Sequence, residues 1–158
     1  MIPMTKVLFV CHGNICRSPM AEYIFKDLLR RRGLESQFRI ASSATSTEEI
    51  GNPMYPPARR ILTRNNIPFG NHRAAQAKPS DYDQYDYILI MDERNAHNLQ
   101  RIFGGDPRGK VHLLLEYAGL NRSISDPWYT GDFQQAFDDI CLGCNAFLDY
   151  LLSGAQRK

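Results

Sequence analysis

No stretch of this 158-residue sequence stays apolar over the ~20 residues that a membrane helix needs, which excludes a spanning segment. The start, Met1-Ile2-Pro3-Met4-Thr5-Lys6, lacks the basic opening, apolar core and small-residue cleavage site of a secretory signal. Cysteine is sparse, with four residues in all. Without a signal, in a chain of this size, those four read as reduced thiols and not as a disulfide framework, so a cytoplasmic protein is expected. Charge of one sign is also lacking: 19 Lys and Arg face 17 Asp and Glu, a net +2. Neither nucleic acid nor a membrane surface is expected as a partner on that balance. Cys and His pairs at metal-ligand spacing are missing, so no metal and no cofactor are expected. Finally, there is no internal repeat, low-complexity tract or linker. A chain of this length buries roughly 70% of its unfolded surface, and one domain over residues 1–158 is the expectation.

What is present alternates in period. Val7-Leu8-Phe9-Val10 is a short continuous apolar run, suited to a strand buried on both faces of a parallel sheet. A helix pattern follows: Ser18 as cap, Pro19 at the first helical position, then Ala21, Ile24, Phe25, Leu28 and Leu29 at helical spacing until Gly33. Phe38-Arg39-Ile40-Ala41 reads as a second strand, and Pro56 opens a helix carrying Ile61 and Leu62. Tyr87-Ile88-Leu89-Ile90-Met91 is a third, buried strand, leading into a helix from about Glu93 to Phe103 that Gly104-Gly105 ends. Val111 to Leu115 offers a fourth strand. The last segment, from Phe133 through Ile140, Cys141, Cys144 and Phe147 to Leu152, carries one apolar stripe. This order predicts an α/β domain. Ser123 to Gly131, which includes Asp126, Trp128 and Tyr129, is a turn-rich loop of the kind that often carries function.

Cys11 stands where the first strand ends, and the loop Cys11-His12-Gly13-Asn14-Ile15-Cys16-Arg17-Ser18 must curl at the strand's carboxyl end, where open α/β sheets bind ligands. A curl there turns successive backbone N–H groups inward toward an anion, and the following helix adds the positive end of its dipole. A phosphate-sized oxyanion is the natural occupant. The same field favours a thiolate nucleophile at Cys11. Arg17, six positions on, presents a planar fork that grips two phosphoryl oxygens, which lysine does less well. Ser18 can donate its hydroxyl hydrogen to the Cys11 sulfur, and Gly13 permits a positive φ and close backbone approach. A cysteine at a strand end is more often a small buried hydrophobe; the added Arg17, Ser18 and helix start reverse that reading. The Gly-Lys-Ser/Thr of a nucleotide-binding loop is missing.

Val7 through Glu22, with Cys11 to Ser18 at its centre, closely resembles the signature of the low-molecular-weight protein tyrosine phosphatases. Asp126-Pro127-Trp128-Tyr129 resembles that family's general-acid loop, and Tyr87 to Asp92 its central strand. The resemblance implies a three-layer α/β/α fold, with a four-stranded parallel sheet and helices on both faces. It also implies a metal-free double displacement. Cys11 attacks phosphorus in line while Asp126 protonates the leaving phenolate; Asp126 then activates the water that hydrolyses the cysteinyl phosphate. By matching position, His12, Gly13, Asn14, Ile15, Cys16 and Ser18 line the phosphate site. Asn14 is expected to brace the loop with Ser42 and His72, although the family's Asp-Ser-Gly is here Ala41-Ser42-Ser43, so the local turn is expected to differ.

Trp128 and Tyr129 would wall a deep slot that reaches phosphotyrosine in proteins or peptides, since aromatic faces stack on a phenyl ring with ~0.5–1.5 kcal/mol beyond area burial. Ile15 marks tyrosine-directed members of the family, where phosphoarginine-directed ones carry Thr. The rim, Glu48-Glu49, departs from the aromatic found there in animal enzymes. Cys16 shares the loop with Cys11, so a reversible disulfide protecting Cys11 stands beside the simpler reading of Cys16 as filler. Cys141 and Cys144 read as core. Among rivals, an arsenate reductase would need further cysteines between Asp92 and Gly105, where there are none. A cysteine phosphocarrier or phosphate-binding regulator would lack the Arg-Ser closure and the acid.

Overall fold

The computed structural model describes residues 4–154. Strand β1, Thr5–Cys11, feeds helix α1, Arg17–Arg31, which returns the chain to β2, Phe38–Ala44. Helix α2, Pro56–Arg64, and the single turn α3, Asp81–Gln84, precede β3, Tyr87–Ile90. Helix α4, Glu93–Phe103, leads to β4, Val111–Leu113. The short α5, Pro127–Thr130, and the long α6, Phe133–Asp149, complete the chain. The strands form one sheet in the order β2-β1-β3-β4, parallel throughout.

The continuous apolar run of β1 is explained by its central place. Val7 and Phe9 point to one face, packing with Met20, Phe25, Leu62, Ile140 and Phe147 of α1, α2 and α6. Leu8 and Val10 point to the other, packing with Tyr82, Ile88 and Leu99 of α3, β3 and α4. A strand covered on both sides has no polar face to show, hence no alternation. The result is three layers, with β1 and β3 central and their carboxyl ends at one rim of the sheet. Deleting a buried ring such as Phe25 would cost about 3–5 kcal/mol.

Boundaries moved where side-chain pattern alone is ambiguous. β2 runs on to Ala44, because each residue from Phe38 pairs with β1 as far as Cys11. β4 stops at Leu113, and Leu114–Ala118 winds into a 3-10 turn that keeps Leu114 and Leu115 buried. The apolar stripe of the last helix outlasts the helix: α6 ends at Asp149 and Tyr150–Gly154 widens into a π turn. Gly143 is required on α6, since a Cβ there would meet Leu114 Cγ at 2.6 Å. Among the described residues, no helix is long and apolar enough to cross a membrane.

Candidate active site

Cys11 is the last residue of β1 and α1 begins at Arg17, so residues 12–16 must reverse direction within one tight loop. Three donors meet the buried Cys11 sulfur: the Ser18 hydroxyl at 3.0 Å, the Asn14 N–H at 3.3 Å and the Ser18 N–H at 3.4 Å. Ser18 is not the helix cap that the pattern predicts. It lies inside the first turn, Cys16 occupies the cap position, and no side chain caps the helix. The first-turn amides, which have no helical partner, are thereby left to face the loop, and one of them serves the sulfur. The positive φ expected at Gly13 also falls elsewhere, on Asn14 at 61°. Asn tolerates the left-handed region through local hydrogen bonds of its side chain, and Asn14 has several.

Those bonds brace the loop. Asn14 is fully buried; its Nδ2 donates to Ser18 Oγ at 2.8 Å and to Ser42 Oγ at 3.0 Å, while its Oδ1 accepts from the Ala75 N–H at 3.1 Å. His72 Nε2 lies 2.7 Å from the Asn14 carbonyl and must carry a hydrogen there, since a carbonyl only accepts. Ser42 Oγ, already accepting from Asn14, donates to Glu22 Oε1 at 2.6 Å. Ser18 Oγ likewise accepts from Asn14, and its one hydrogen has two acceptors in reach, the Cys11 sulfur at 3.0 Å and, farther off, the Ser43 carbonyl at 3.4 Å. The chain of hydrogen bonds from Glu22 through Ser42, Asn14 and Ser18 thus ends on the nucleophile candidate. The Ala41-Ser42-Ser43 departure leaves the Asn14–Ser42 bond intact.

Arg17 is only 2% exposed, an expensive place for a charge unless it is paired and bonded. Its Nη1 spends both hydrogens, one on Asp92 Oδ2 at 2.8 Å and one on the Ile124 carbonyl at 2.8 Å. Nη2 reaches Asp126 Oδ2 at 3.4 Å. Burial on its own would weaken the charge, yet Cys11, Asp126 and Asp92 outweigh it and hold the guanidinium above its ordinary pKa. With Nη1 anchored, the edge carrying Nη2 and Nε is the one left to fork onto an oxyanion.

Asp126 opens α5, with Oδ1 accepting the Trp128 N–H at 3.0 Å, and Pro127 sits at the first helical position. That cap holds one carboxylate oxygen and leaves Oδ2 facing Arg17. The cavity over the sulfur, about 80 Å³, is lined by Cys11, Arg17, Ile15, Asp126, Trp128 and Tyr129 among others. Trp128 and Tyr129 are 51% and 76% exposed, so they are walls and not core. The Trp128 ring rests on Tyr55 at a centroid separation of 4.8 Å. His12 and Glu48 face each other across the mouth at 3.1 Å, with Glu49 beside them on the rim and Gly13 beneath, where a Cβ would only touch Glu49 at 3.4 Å.

Cys16 is buried in the same cavity wall; burial foremost, then its neighbour Cys11, pushes its thiol well up. Cys144 is buried among core side chains and Cys141 half-buried, burial raising the latter to about 11. Sequence reasoning missed three contributors: Asp92, Glu22 and Tyr55. Asp92 follows β3 at the same rim as Cys11, where parallel sheets gather ligands, and Glu22 stands four residues after Ser18, on one helix face. Those two were findable by position. Tyr55 carried no local signal.

The family profile described as low molecular weight phosphotyrosine protein phosphatase matches residues 6–157. A relative from Bacillus subtilis (strain 168), named low molecular weight protein-tyrosine-phosphatase YfkJ, is 40% identical over 157 residues, with 98% of each chain covered. The crystal structure of YfkJ superposes with a TM-score of 0.92 at 38% identity, covering 96% of both chains. PtpA of Staphylococcus aureus (strain MRSA252), another protein named for the same activity, is 34% identical over 98% of this chain and 99% of its own. The structure titled DARP, drosophila arginine phosphatase, aligns at a TM-score of 0.86 and 31% identity, covering 94% of this chain and 99% of that one. With loop, acid and fold agreeing over nearly the whole length, this chain belongs to the low molecular weight phosphotyrosine protein phosphatase family.

Proposed function

We propose that the protein hydrolyses phosphotyrosine monoesters of proteins or peptides by double displacement at Cys11. Arg17 and the loop amides of residues 12–18 hold the phosphoryl oxygens. The Cys11 sulfur attacks phosphorus and the aryl–oxygen bond breaks as Asp126 delivers a proton to the phenolate. Asp126 then takes a proton from water, which attacks the cysteinyl phosphate and frees phosphate and the thiolate. The hydrogen bond from Ser18 stabilises that departing sulfur. The observation that carries this reading is the convergence of three donors on Cys11 in a cavity whose opposite wall holds Asp126.

Release of p-nitrophenol from p-nitrophenyl phosphate at mildly acidic pH, without added metal, tests it. Cys11→Ser is expected to abolish turnover while still binding vanadate; turnover that survives this substitution would overturn the role of Cys11. One second reading has its own support, the similarity to an arginine phosphatase. Ile15, apolar and 7% exposed at the cavity floor, favours an aryl ester. A panel of phosphotyrosine, phosphoserine and phosphoarginine peptides separates the two: the expected order puts phosphotyrosine first by a wide margin.

Cys16 is proposed as a redox partner. Peroxide would convert the Cys11 thiolate to a sulfenic acid, and attack by Cys16 sulfur would expel water and leave a disulfide that thiols can reduce. Mass spectrometry after mild peroxide should find Cys11 linked to Cys16; sulfinic Cys11 without linkage would refute it. All four thiols are free, which fits a reducing, cytoplasmic setting. The family match over residues 6–157 fits one domain.

A further inference from the structure

The even charge balance of the chain conceals a one-signed face on α2. Ala58, Ile61 and Leu62 turn inward to the core, and Pro56, Arg59, Arg60, Thr63 and Arg64 turn outward at helical spacing, all exposed. These five, with the half-buried ring of Phe69, line an open groove of about 460 Å³. On α1 the exposed basic side chains have acidic partners, Lys26 with Glu22 and both Arg30 and Arg31 with Asp27, whereas Arg101 of α4 reaches only the Asn98 amide. Among the described residues, Arg59, Arg60 and Arg64 make no ion pair and no side-chain hydrogen bond. Arg60 and Arg64 are four apart on one face, an arrangement of like charges that destabilises a helix. A merely solvated face gains from mixing signs, and this one does not.

The groove is tied to the active site through one residue of the chain. Its first residue, Pro56, follows Tyr55, whose ring supports Trp128 and whose N–H donates to the Ile15 carbonyl of the catalytic loop at 2.9 Å. From Pro56 to Arg64 the helix spans about 12 Å, which roughly four extended residues of a peptide would cover. We propose that α2 is a docking groove for substrate: an acidic segment within about six residues of the phosphotyrosine lies along Arg59, Arg60 and Arg64 while the phosphorylated ring enters between Trp128 and Tyr129. This rests on the phosphatase reading and deepens it by naming the class of substrate, a phosphotyrosine flanked by Asp or Glu. Exposed pairs of this sort act mainly on capture and choice of partner, and salt weakens them.

The test compares three phosphotyrosine peptides of equal length, flanked by Asp and Glu, by Ser, or by Lys, with p-nitrophenyl phosphate as a probe too small to reach α2. Wild-type protein should prefer the acidic peptide in kcat/KM, less so at high salt. The variant Arg59→Glu with Arg60→Glu and Arg64→Glu should lose roughly tenfold on the acidic peptide and gain on the Lys peptide. Its turnover of p-nitrophenyl phosphate should not change, which also shows that it is folded. The milder triple change to Gln should fall between. Equal kcat/KM for the three peptides in the wild type, or an unchanged preference in the variant, overturns the docking groove while p-nitrophenyl phosphate turnover keeps the phosphatase reading intact. Failure on p-nitrophenyl phosphate by the wild type sinks that reading and this one with it. If charge reversal abolishes binding to phosphatidylserine vesicles but leaves peptide kinetics alone, the face serves a membrane and the proposal is wrong.

Discussion

Asp92 offers the sharpest test of how the site is held, because its two jobs can be separated. One carboxylate oxygen anchors Arg17 Nη1 at 2.8 Å and the other caps α4, accepting the Asn95 N–H at 2.9 Å within a reciprocal capping box. Asn is as good a cap as Asp, so Asp92→Asn keeps the cap on its one amide oxygen but turns an NH2, itself a donor, toward Arg17 and so removes the anchor. Leaving the buried guanidinium short of that acceptor costs about 1–3 kcal/mol. The variant should therefore melt roughly 2–12 °C lower and bind vanadate at least about fivefold more weakly. Asp92→Ala loses both jobs. The cap is worth about 1 kcal/mol, and leaving a buried guanidinium short of an acceptor costs about 1–3 more; the side chain of Asp92 is 24% exposed, and the Ile124 carbonyl and Asp126 remain, so the figure for a fully broken buried pair does not apply. The melting point should fall by roughly 4–16 °C. With Nη1 unpinned, the guanidinium can swing out of place, and a misplacement near 1 Å costs on the order of a hundredfold in rate. Circular-dichroism melts and kcat/KM on p-nitrophenyl phosphate read both. Wild-type kinetics and vanadate affinity in Asp92→Ala would refute the claim that Asp92 positions Arg17.

Other substitutions probe the remaining parts. Asn14→Gly keeps the positive φ but loses the brace, whereas Asn14→Ala loses both, so Ala should be about 1 kcal/mol less stable than Gly in urea titrations, with kcat/KM reduced in each. Asp126→Ala should slow phenyl phosphate on the order of a hundredfold or more and p-nitrophenyl phosphate far less, because a good leaving group needs no proton; equal losses would count against an acid. Asp139 is held below the usual carboxylate range, first by its hydrogen bonds from Arg122, at 2.9 and 3.0 Å. A depressed folded-state value means that its stabilisation is present above the unfolded value near ~3.9 and is lost as pH falls through the folded one. Asp139→Asn should accordingly be less stable than wild type at pH 7, and the gap should close in acid; a gap constant with pH would refute the linkage.

The parts of the site that lie close together in the chain were readable before any coordinates. Cys11, Arg17 and Ser18 fall within eight residues, between a strand and a helix whose patterns are both strong, so their convergence follows from local geometry. Asp126 was readable only through its Pro and two aromatics, a pattern that marks an exposed, capped turn. What the sequence hid is tertiary. That Asn14 and not Gly13 takes the positive φ depends on acceptors and donors from Ser42, His72 and Ala75, far along the chain. A Ser before Pro at a helix start looks like a cap, but the helix already begins at Arg17, so Ser18 lies inside the first turn with its hydroxyl 3.0 Å from the Cys11 sulfur.

The charge balance hides its own distribution for a related reason. A sum over the chain cannot say where charges sit, and a net +2 hides an α2 whose outer face carries three unpaired arginines because its inner face is occupied by Ala58, Ile61 and Leu62. The helical period that places Ile61 and Leu62 in the core also places Arg60 and Arg64 together outside, so the pattern that made α2 readable as a helix already implied the basic stripe. Among the described residues no acidic side chain pairs with that stripe. The acidic partner of the stripe is then the Asp or Glu that flanks the substrate's phosphotyrosine.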